Sequence, residues 1–162
     1  MRMRIAILLG MTLLACSERP AADTESQTAR TANDKFLGLV HGELPAGIER
    51  KGWIYLDSIA GKDYALTVVS QGRRRMFWLD QSVQTDSARQ WQVVAVLGVD
   101  SLGKNREMTV GGCSAPDLRP IEIVAQVTRP APGAPVAVDQ AWRVDRRAQK
   151  FVPLRVGSVV CK

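Results

Sequence analysis

Histidine and cysteine are scarce in this sequence. Its 162 residues include one histidine, His41, and three cysteines, with no CxxC pair among them. A zinc site takes about four thiolate or imidazole ligands, usually at short and regular spacings, and this chain does not offer them. We therefore expect no metal and no cofactor. With a single imidazole, the chain also has few side chains that titrate near neutral pH and could act in acid–base catalysis.

Long apolar runs and concentrated charge are absent as well. The apolar run at residues 5–15 has 11 residues, and a helix of that length does not cross roughly 30 Å of hydrocarbon. The formal net charge of +6 is spread along the chain, whereas nucleic-acid-binding proteins concentrate their charge in a stripe. We expect neither a transmembrane helix nor a nucleic-acid partner, and the length suits one domain.

The first sixteen residues have the pattern of an export signal. Two arginines precede the apolar run, and the chain turns polar immediately after Cys16, as in secretory signal peptides. The segment Leu13-Leu14-Ala15-Cys16 resembles the lipobox of bacterial lipoproteins. The resemblance implies that residues 1–15 are a signal peptide and that Cys16 carries a diacylglyceryl thioether and an amide-linked acyl chain. The alternative is an ordinary signal peptide cut near Ala15, which leaves Cys16 as a free thiol.

The same resemblance predicts the compartment. Lipidation places the protein in the bacterial cell envelope, and the absence of Asp after Cys16 favours the outer membrane, facing the periplasm, by analogy with enteric sorting rules. Residues 17–34 contain no aromatic residue and many small polar ones, which predicts a flexible tether. All nine aromatic residues lie between Phe36 and Phe151. We therefore divide the chain into a signal peptide at 1–15, a lipidated cysteine with its tether at 16–34, and a β-rich domain at 35–162.

The two remaining cysteines form an even pair. Acylation of Cys16 leaves Cys113 and Cys161, and the oxidising environment of the envelope would join them in a disulfide. The competing interpretation is a metal site, for which two thiols and the remote His41 are a poor ligand set.

Alternating apolar and polar residues dominate residues 35–162. Residues 121–128 show the period of a half-buried strand most clearly. Similar stretches are found at residues 53–59, 64–70, 74–80, 91–99, 107–111, 138–145, 151–156 and 158–161. Their connections are mostly too short for parallel crossovers, so the sequence predicts a mainly β protein with a single antiparallel domain, either a sandwich or a barrel-like meander. At most one short helix is expected, at residues 33–42, where Asn33 suits a cap but Gly38 and Gly42 weaken the helix.

Catalytic motifs are weak. The stretch Ser101-Leu102-Gly103-Lys104 matches the Ser-x-x-Lys string of penicillin-binding enzymes, which place both residues at the start of a helix. Here it falls in a turn-prone stretch without the companion motifs. His41 and Glu43 offer an acid–base pair, yet a lone histidine followed by Gly and Pro is more typical of a loop. We expect no catalytic residues and no enzymatic activity.

Cationic residues cluster at two predicted hairpins and form the candidate partner-binding site, since Arg and Trp are enriched in interface hot spots. The first cluster is Arg73, Arg74 and Arg75, close to Trp78; the second is Arg143, Arg146, Arg147 and Lys150. Alternation along the first strand predicts that one face is core and the other free. Should both turns lie at one end of the sheet, they would form a single surface. The alternative is two solvated hairpin tips with their aromatic residues in the core.

These observations favour a non-catalytic binding module, anchored in the membrane by Cys16. Its partner is expected to be an envelope protein with an acidic surface or another anionic component of the envelope. An inhibitor or immunity role fits the size, the tether and the disulfide. The segment Trp142-Arg143-Val144-Asp145, followed by Phe151-Val152-Pro153-Leu154, resembles hairpins of small uncharacterised envelope lipoproteins, a resemblance that implies no activity. The alternatives are a structural or assembly lipoprotein, whose binding face would be apolar, and a small hydrolase.

Overall fold

The computed structural model describes residues 35–85, 88–99, 102–129, 131 and 134–162. The predicted signal peptide, Cys16 and the predicted tether lie outside these residues. In chain order the strands are β1 (Val40–His41), β2 (Glu49–Ile59), β3 (Lys62–Gln71), β4 (Arg74–Gln84), β5 (Arg89–Val99), β6 (Arg106–Val110), β7 (Cys113–Ser114), β8 (Ile123–Thr128), β9 (Ala137–Asp145), β10 (Lys150–Pro153) and β11 (Val160–Cys161). Single 3₁₀ turns span Pro120–Glu122 and Val156–Ser158.

Antiparallel pairing organises these strands into two main sheets. The larger sheet has five strands in the order β1-β5-β4-β3-β2, and the smaller has four in the order β10-β9-β8-β6. A separate short pair joins β11 to β7. The predicted mainly β, antiparallel single domain is therefore confirmed.

The main core lies between the two sheets. It combines side chains of the five-stranded sheet with side chains of the four-stranded sheet, and most of its members are less than 6% exposed. Its buried members are Leu56, Tyr64, Leu66, Phe77, Leu79, Ala95, Met108, Val124 and Val144. Since the inner faces of two sheets share one apolar cluster, the architecture is a β-sandwich.

Each sheet also buries part of its outer face. On the five-stranded sheet, residues 35–48 bring Phe36 and Ile48 onto Met76 and Trp78. On the four-stranded sheet, β7 and the C-terminal residues cover Ile123 and its neighbours. This double burial explains why consecutive residues are apolar at 76–79 in β4 and at 123–125 in β8.

The expectation of one free face on β4 is therefore wrong. Phe77 and Leu79 point into the main core, while Met76 and Trp78 point into the cluster under residues 35–48. The ring centroids of Phe36 and Trp78 are 5.0 Å apart, and Trp78 is 0% exposed. The covering segment comes from a part of the chain that the alternation of β4 alone does not reveal.

The helix suggested for residues 33–42 is wrong for the part of it that is described. Gly38 has φ +81°, a left-handed conformation that interrupts a right-handed helix and favours glycine. The segment instead adds to the edge of the larger sheet: the N–H of Gly38 donates to the Val93 carbonyl at 2.8 Å, and the N–H of Val93 donates to the Leu39 carbonyl at 2.9 Å. His41 then lies in β1 and is 5% exposed, so its assignment to a loop is wrong as well.

The predicted disulfide between Cys113 and Cys161 is confirmed. The two cysteines are direct partners in the β7–β11 pair, with their Cα atoms 4.1 Å apart. Together with buried Val159, they close the cluster on the outer face of the smaller sheet. The disulfide therefore links β11 covalently to β7.

Candidate binding surfaces

The two basic clusters predicted from the sequence lie at opposite ends of the larger sheet. Arg75 is paired with Ser70, next to the β3–β4 turn. Gln149, in the turn between β9 and β10, donates to the side-chain oxygen of Gln81 at 2.6 Å. Along β4, Arg75 and Gln81 are separated by roughly 20 Å at 3.3 Å per residue. The clusters therefore do not form one surface.

The first cluster remains accessible without its tryptophan. Arg73 is exposed, and Arg74 and Arg75 are half-buried. Trp78 points into the apolar cluster under residues 35–48, which removes it from any contact surface of this fold. Only the arginines of this predicted group are in a position to meet a partner.

Half of the second cluster is engaged within the domain. Arg143 donates to Asp145 at 2.7 Å, and Arg146 donates to Glu122 at 2.5 Å. Arg147 and Lys150 are exposed. Two of the four predicted cations thus have intramolecular partners, which leaves Arg147 and Lys150 as the accessible part.

Arg146 belongs to an ion-pair network that joins the two sheets. We call this network, formed by Asp57, Arg119, Glu122 and Arg146, the inter-sheet clamp. Asp57 lies on β2 of the larger sheet, and its carboxylate is 3.5 Å from Arg119 and 3.7 Å from Arg146. Glu122, which precedes β8 of the smaller sheet, contacts both arginines. Arg119 also donates to the Leu56 carbonyl at 3.1 Å.

The inter-sheet clamp favours the deprotonated form of its two carboxylates, Glu122 and Asp57. Burial raises the pKa of Glu122, but hydrogen bonds from the side chain and backbone of Arg119, with the charges of Arg119 and Arg146, outweigh it and hold the pKa below its ordinary value. The backbone N–H of Ser58 is the largest cause of a lowered pKa at Asp57, assisted by the same two arginines. Deprotonated Glu122 and Asp57 therefore stabilise the contact between the sheets.

Acid is expected to weaken the inter-sheet clamp. Because the pKa of Glu122 is lower in the folded state, its contribution is fully present above the ordinary carboxyl pKa and is lost as pH falls through the folded value. We expect Glu122→Gln to reduce the free energy of unfolding by about 1 to 3 kcal/mol at pH 7. As pH falls from the ordinary carboxyl pKa through the lower folded pKa of Glu122, the difference from the parent should shrink, because Glu122 then becomes neutral like the Gln that replaces it.

Urea unfolding at neutral and acidic pH checks this expectation. Glu43→Gln is the matched control, because Glu43 is exposed and has no ion pair or side-chain hydrogen bond among the described residues. A Glu122→Gln deficit that stays constant down to pH 3 would contradict the proposed charge dependence.

An exposed aromatic surface lies on the outer face of the larger sheet. Trp53 and Tyr55 on β2 are 46% and 47% exposed, although aromatic side chains of this size are usually buried. Trp91 on β5 is half-buried and meets Trp53 edge-on, with ring centroids 5.9 Å apart. The centroids of Trp53 and Tyr55 are 6.4 Å apart. We call these three residues the aromatic surface.

Strand alternation and small intervening residues build this surface. Ile54 and Leu56 contribute to the main core, so Trp53 and Tyr55 emerge on the opposite face of β2. The strands β3 and β4 separate β2 from β5. Directly across the sheet from Tyr55, the paired residues are Ala65 on β3 and then Asp80 on β4. Both residues are fully buried. These short side chains leave room for rings from either side to approach each other.

Polar groups border the aromatic surface and hold Tyr55 in place. The Tyr55 hydroxyl is 2.9 Å from the Ser58 hydroxyl and donates to the Asp63 carboxylate at 3.1 Å. Arg89 forms an ion pair with Asp63. On the other side of Trp53 lies Arg50, which is exposed and has no ion pair or side-chain hydrogen bond in the described part of the chain. The rim therefore includes accessible positive charge.

Only part of this surface is predictable from the sequence. The strand predicted at residues 53–59 already places Trp53 and Tyr55 on one face. The approach of Trp91 depends on pairing between strands far apart in sequence, and the exposure of that face depends on where residues 35–48 pack. Neither is encoded in the local alternation.

A buried polar cluster lies beneath the same face. His41 Nε2 is 3.3 Å from one Asp80 carboxylate oxygen, and the Thr67 hydroxyl donates to the other at 2.5 Å. The imidazole also packs edge-on against Trp78, with centroids 5.7 Å apart. All of these side chains are at most 5% exposed. His41 is thus paired with Asp80, and the acid–base pair with Glu43 considered from the sequence is not formed.

Ser101 of the Ser-x-x-Lys string lies outside the described residues, and Lys104 is exposed in a turn. Within the described ranges, no three His, Cys, Asp or Glu side chains come together as a metal site. Over the same part of the chain, the fold contains no helix long and apolar enough to span a bilayer.

Comparison with protein-family models, with curated proteins and with solved structures finds no match for this chain.

Proposed function

We propose that this protein is a lipid-anchored, non-catalytic binding module of the bacterial cell envelope that binds an acidic envelope protein through the aromatic surface. The anchor is the acylated Cys16, and the domain faces the periplasm from the outer membrane. The observation that carries the proposal is the aromatic surface of Trp53, Tyr55 and Trp91. An inhibitor or immunity protein is the role that best suits a small, tethered module of this kind.

The chemistry of the surface supports a protein partner. Trp and Tyr combine a large apolar area with a polar group and are enriched at interface hot spots. Two exposed rings and a half-buried third on one sheet face form a contact patch whose centre is apolar. Tyr55 is held by hydrogen bonds to Ser58 and Asp63, which reduces the entropy lost on binding.

Charge supports an acidic partner. Arg50 has no ion pair or side-chain hydrogen bond among the described residues, and neither does exposed Lys62 beyond the other end of β2. Asp63 is neutralised by Arg89, and Glu49 by Lys51 at 2.6 Å. The rim therefore has accessible cations and mostly paired anions, an arrangement that steers an acidic surface toward the rings.

The alternative is an assembly lipoprotein, and one observation favours it. Val156 and Val160 are 39% and 63% exposed near the C-terminus, on the opposite side of the sandwich from the aromatic surface. An apolar partner of an assembly machine would use these residues instead.

Photo-crosslinking in intact cells separates the two candidates. A photoreactive phenylalanine analogue at position 55 should give a discrete adduct with one envelope protein, whereas the same analogue at position 160 should give none. In pull-downs with the identified partner, Trp53→Ser and Trp91→Ser should each reduce capture at least tenfold. Val160→Ser, which changes a more exposed apolar residue, should leave capture unchanged.

The opposite pattern would contradict the proposal. An adduct from position 160 alone would favour the assembly lipoprotein. Capture that is insensitive to Trp53→Ser and Trp91→Ser, with both variants folded by circular dichroism, would show that the aromatic surface is not the contact.

A further inference from the structure

A second surface, at the end of the larger sheet opposite Gln81, is built from cations. Arg74 and Arg75 are paired across the β3–β4 turn with Gln71 and Ser70, and Ser70 is paired in turn with Glu49 at the start of β2. The ammonium group of Lys35 donates to the Gln71 side chain at 3.1 Å. The cations brought together by these contacts are Lys35, Lys51, Arg73, Arg74 and Arg75. We call this group the basic end.

Few carboxylates of the described residues lie at the basic end. Among the described strand positions that meet there, Glu49 is the one carboxylate, and it is bound to Lys51 at 2.6 Å. Arg73 and Arg75 form no ion pair and no side-chain hydrogen bond within the described ranges. Neighbouring like charges repel one another, so contacts inside the fold give no reason for grouping Arg73 and Arg75.

The path of the chain suggests what the basic end faces. Lys35 belongs to this group and is also the residue at which the predicted tether, residues 17–34, joins the domain. If Cys16 is acylated, the basic end is the part of the domain that is closest to the anchor along the chain, 19 residues after Cys16. Arg147 and Lys150 lie at the far end of the sheet.

Residues next to Lys35 suit a membrane surface as well. Leu37 is 47% exposed, and Lys35 lies over the Phe36 ring at 4.7 Å. An exposed apolar side chain close to a cation suits an anionic membrane interface. Each Lys or Arg near such a surface strengthens binding about fivefold.

We infer that the basic end docks on the phosphate groups of anionic phospholipids, so that the tethered domain rests against the membrane that anchors it. The inference rests on the lipid anchor of the proposed function. This docking orients the domain with the β3–β4 turn toward the bilayer. The aromatic surface, on the outer face of the same sheet, then stays accessible to a partner in the periplasm.

Vesicle sedimentation of the full chain tests the inference. The Cys16→Ser background removes acyl insertion, and vesicles contain phosphatidylcholine alone or with about one-third phosphatidylglycerol. Arg73→Gln with Arg75→Gln should lower binding to the anionic vesicles at least tenfold. The matched control is Arg147→Gln with Lys150→Gln, which removes the same charge from the far end and should change binding less than threefold. The N-terminal segment is common to all variants and cancels in the comparison.

Each outcome is decisive. Equal losses for the two charge-matched pairs, or binding independent of phosphatidylglycerol, would overturn the inference. Salt-sensitive capture of an acidic protein by the basic end, without any vesicle binding, would also overturn it. Labelled palmitate incorporation into the parent chain tests the anchor separately, so failure of the proposed function is distinguishable from failure of the docking surface.

Discussion

Replacing Cys16 by Ser is expected to abolish incorporation of labelled palmitate and to leave either unprocessed precursor or a mislocalised soluble form. The thiol is the only nucleophile that the lipobox pattern Leu13-Leu14-Ala15-Cys16 offers for a thioether, and Ser cannot replace it. One acyl chain anchors a protein only marginally, whereas two or three make attachment effectively permanent. The effect on membrane retention is therefore expected to be all or none.

Metabolic labelling and membrane fractionation measure this result. The double variant Cys113→Ser with Cys161→Ser is the control, because it removes the other two thiols and should still be labelled. Label that persists in the Cys16→Ser protein, or its absence from the parent, would contradict the lipoprotein prediction.

Loss of the disulfide is expected to have the largest effect on folding. The Cys113–Cys161 bond spans a sequence separation of 48 residues, for which loop-closure entropy predicts roughly 4 kcal/mol of stabilisation. Cys161→Ser should therefore lower the free energy of unfolding by about 2 to 5 kcal/mol. The disulfide also stabilises the folded state through packing, because it holds Val159 and Cys113 over the outer face of the smaller sheet.

Urea unfolding with and without reductant measures this change. The parent should lose stability on reduction, while Cys161→Ser should be indifferent to the reductant. Val160→Ser is the control, because it changes the exposed neighbour on the same strand and should stay within about 0.5 kcal/mol of the parent. Two freely alkylated thiols in folded protein from the envelope would contradict the disulfide as a native bond.

The candidate site shows where local patterns stop being informative. Arg146 and Trp78 resembled accessible hot-spot residues in the sequence. In the fold, Arg146 links Glu122 to Asp57 across the sheets, and Trp78 fills a core under residues 35–48. The partners of both side chains are more than 20 residues away in sequence, so neither role follows from its neighbours.

Strand boundaries show the same limit on a smaller scale. The strand predicted at residues 53–59 begins at Glu49, because charged Glu49 and Arg50 pair with Ser70 and Val69 at the sheet edge. The two-residue strands β1 and β7 exist only through their partners β5 and β11. Backbone pairing with a neighbouring strand extends a strand, or creates one, where the sequence shows no alternation of apolar and polar residues.

The sequence by itself determined the antiparallel β class, the position of most strands and the pairing of Cys113 with Cys161, because side-chain period and cysteine parity are local or countable properties. The tertiary structure decided which faces are covered. It buried both faces of β4, paired His41 with Asp80, separated the two basic clusters by the length of a sheet, and brought Trp53 against Trp91. Each of these depends on which distant segments pack together, and burial of a face is a property of that packing and not of the strand alone.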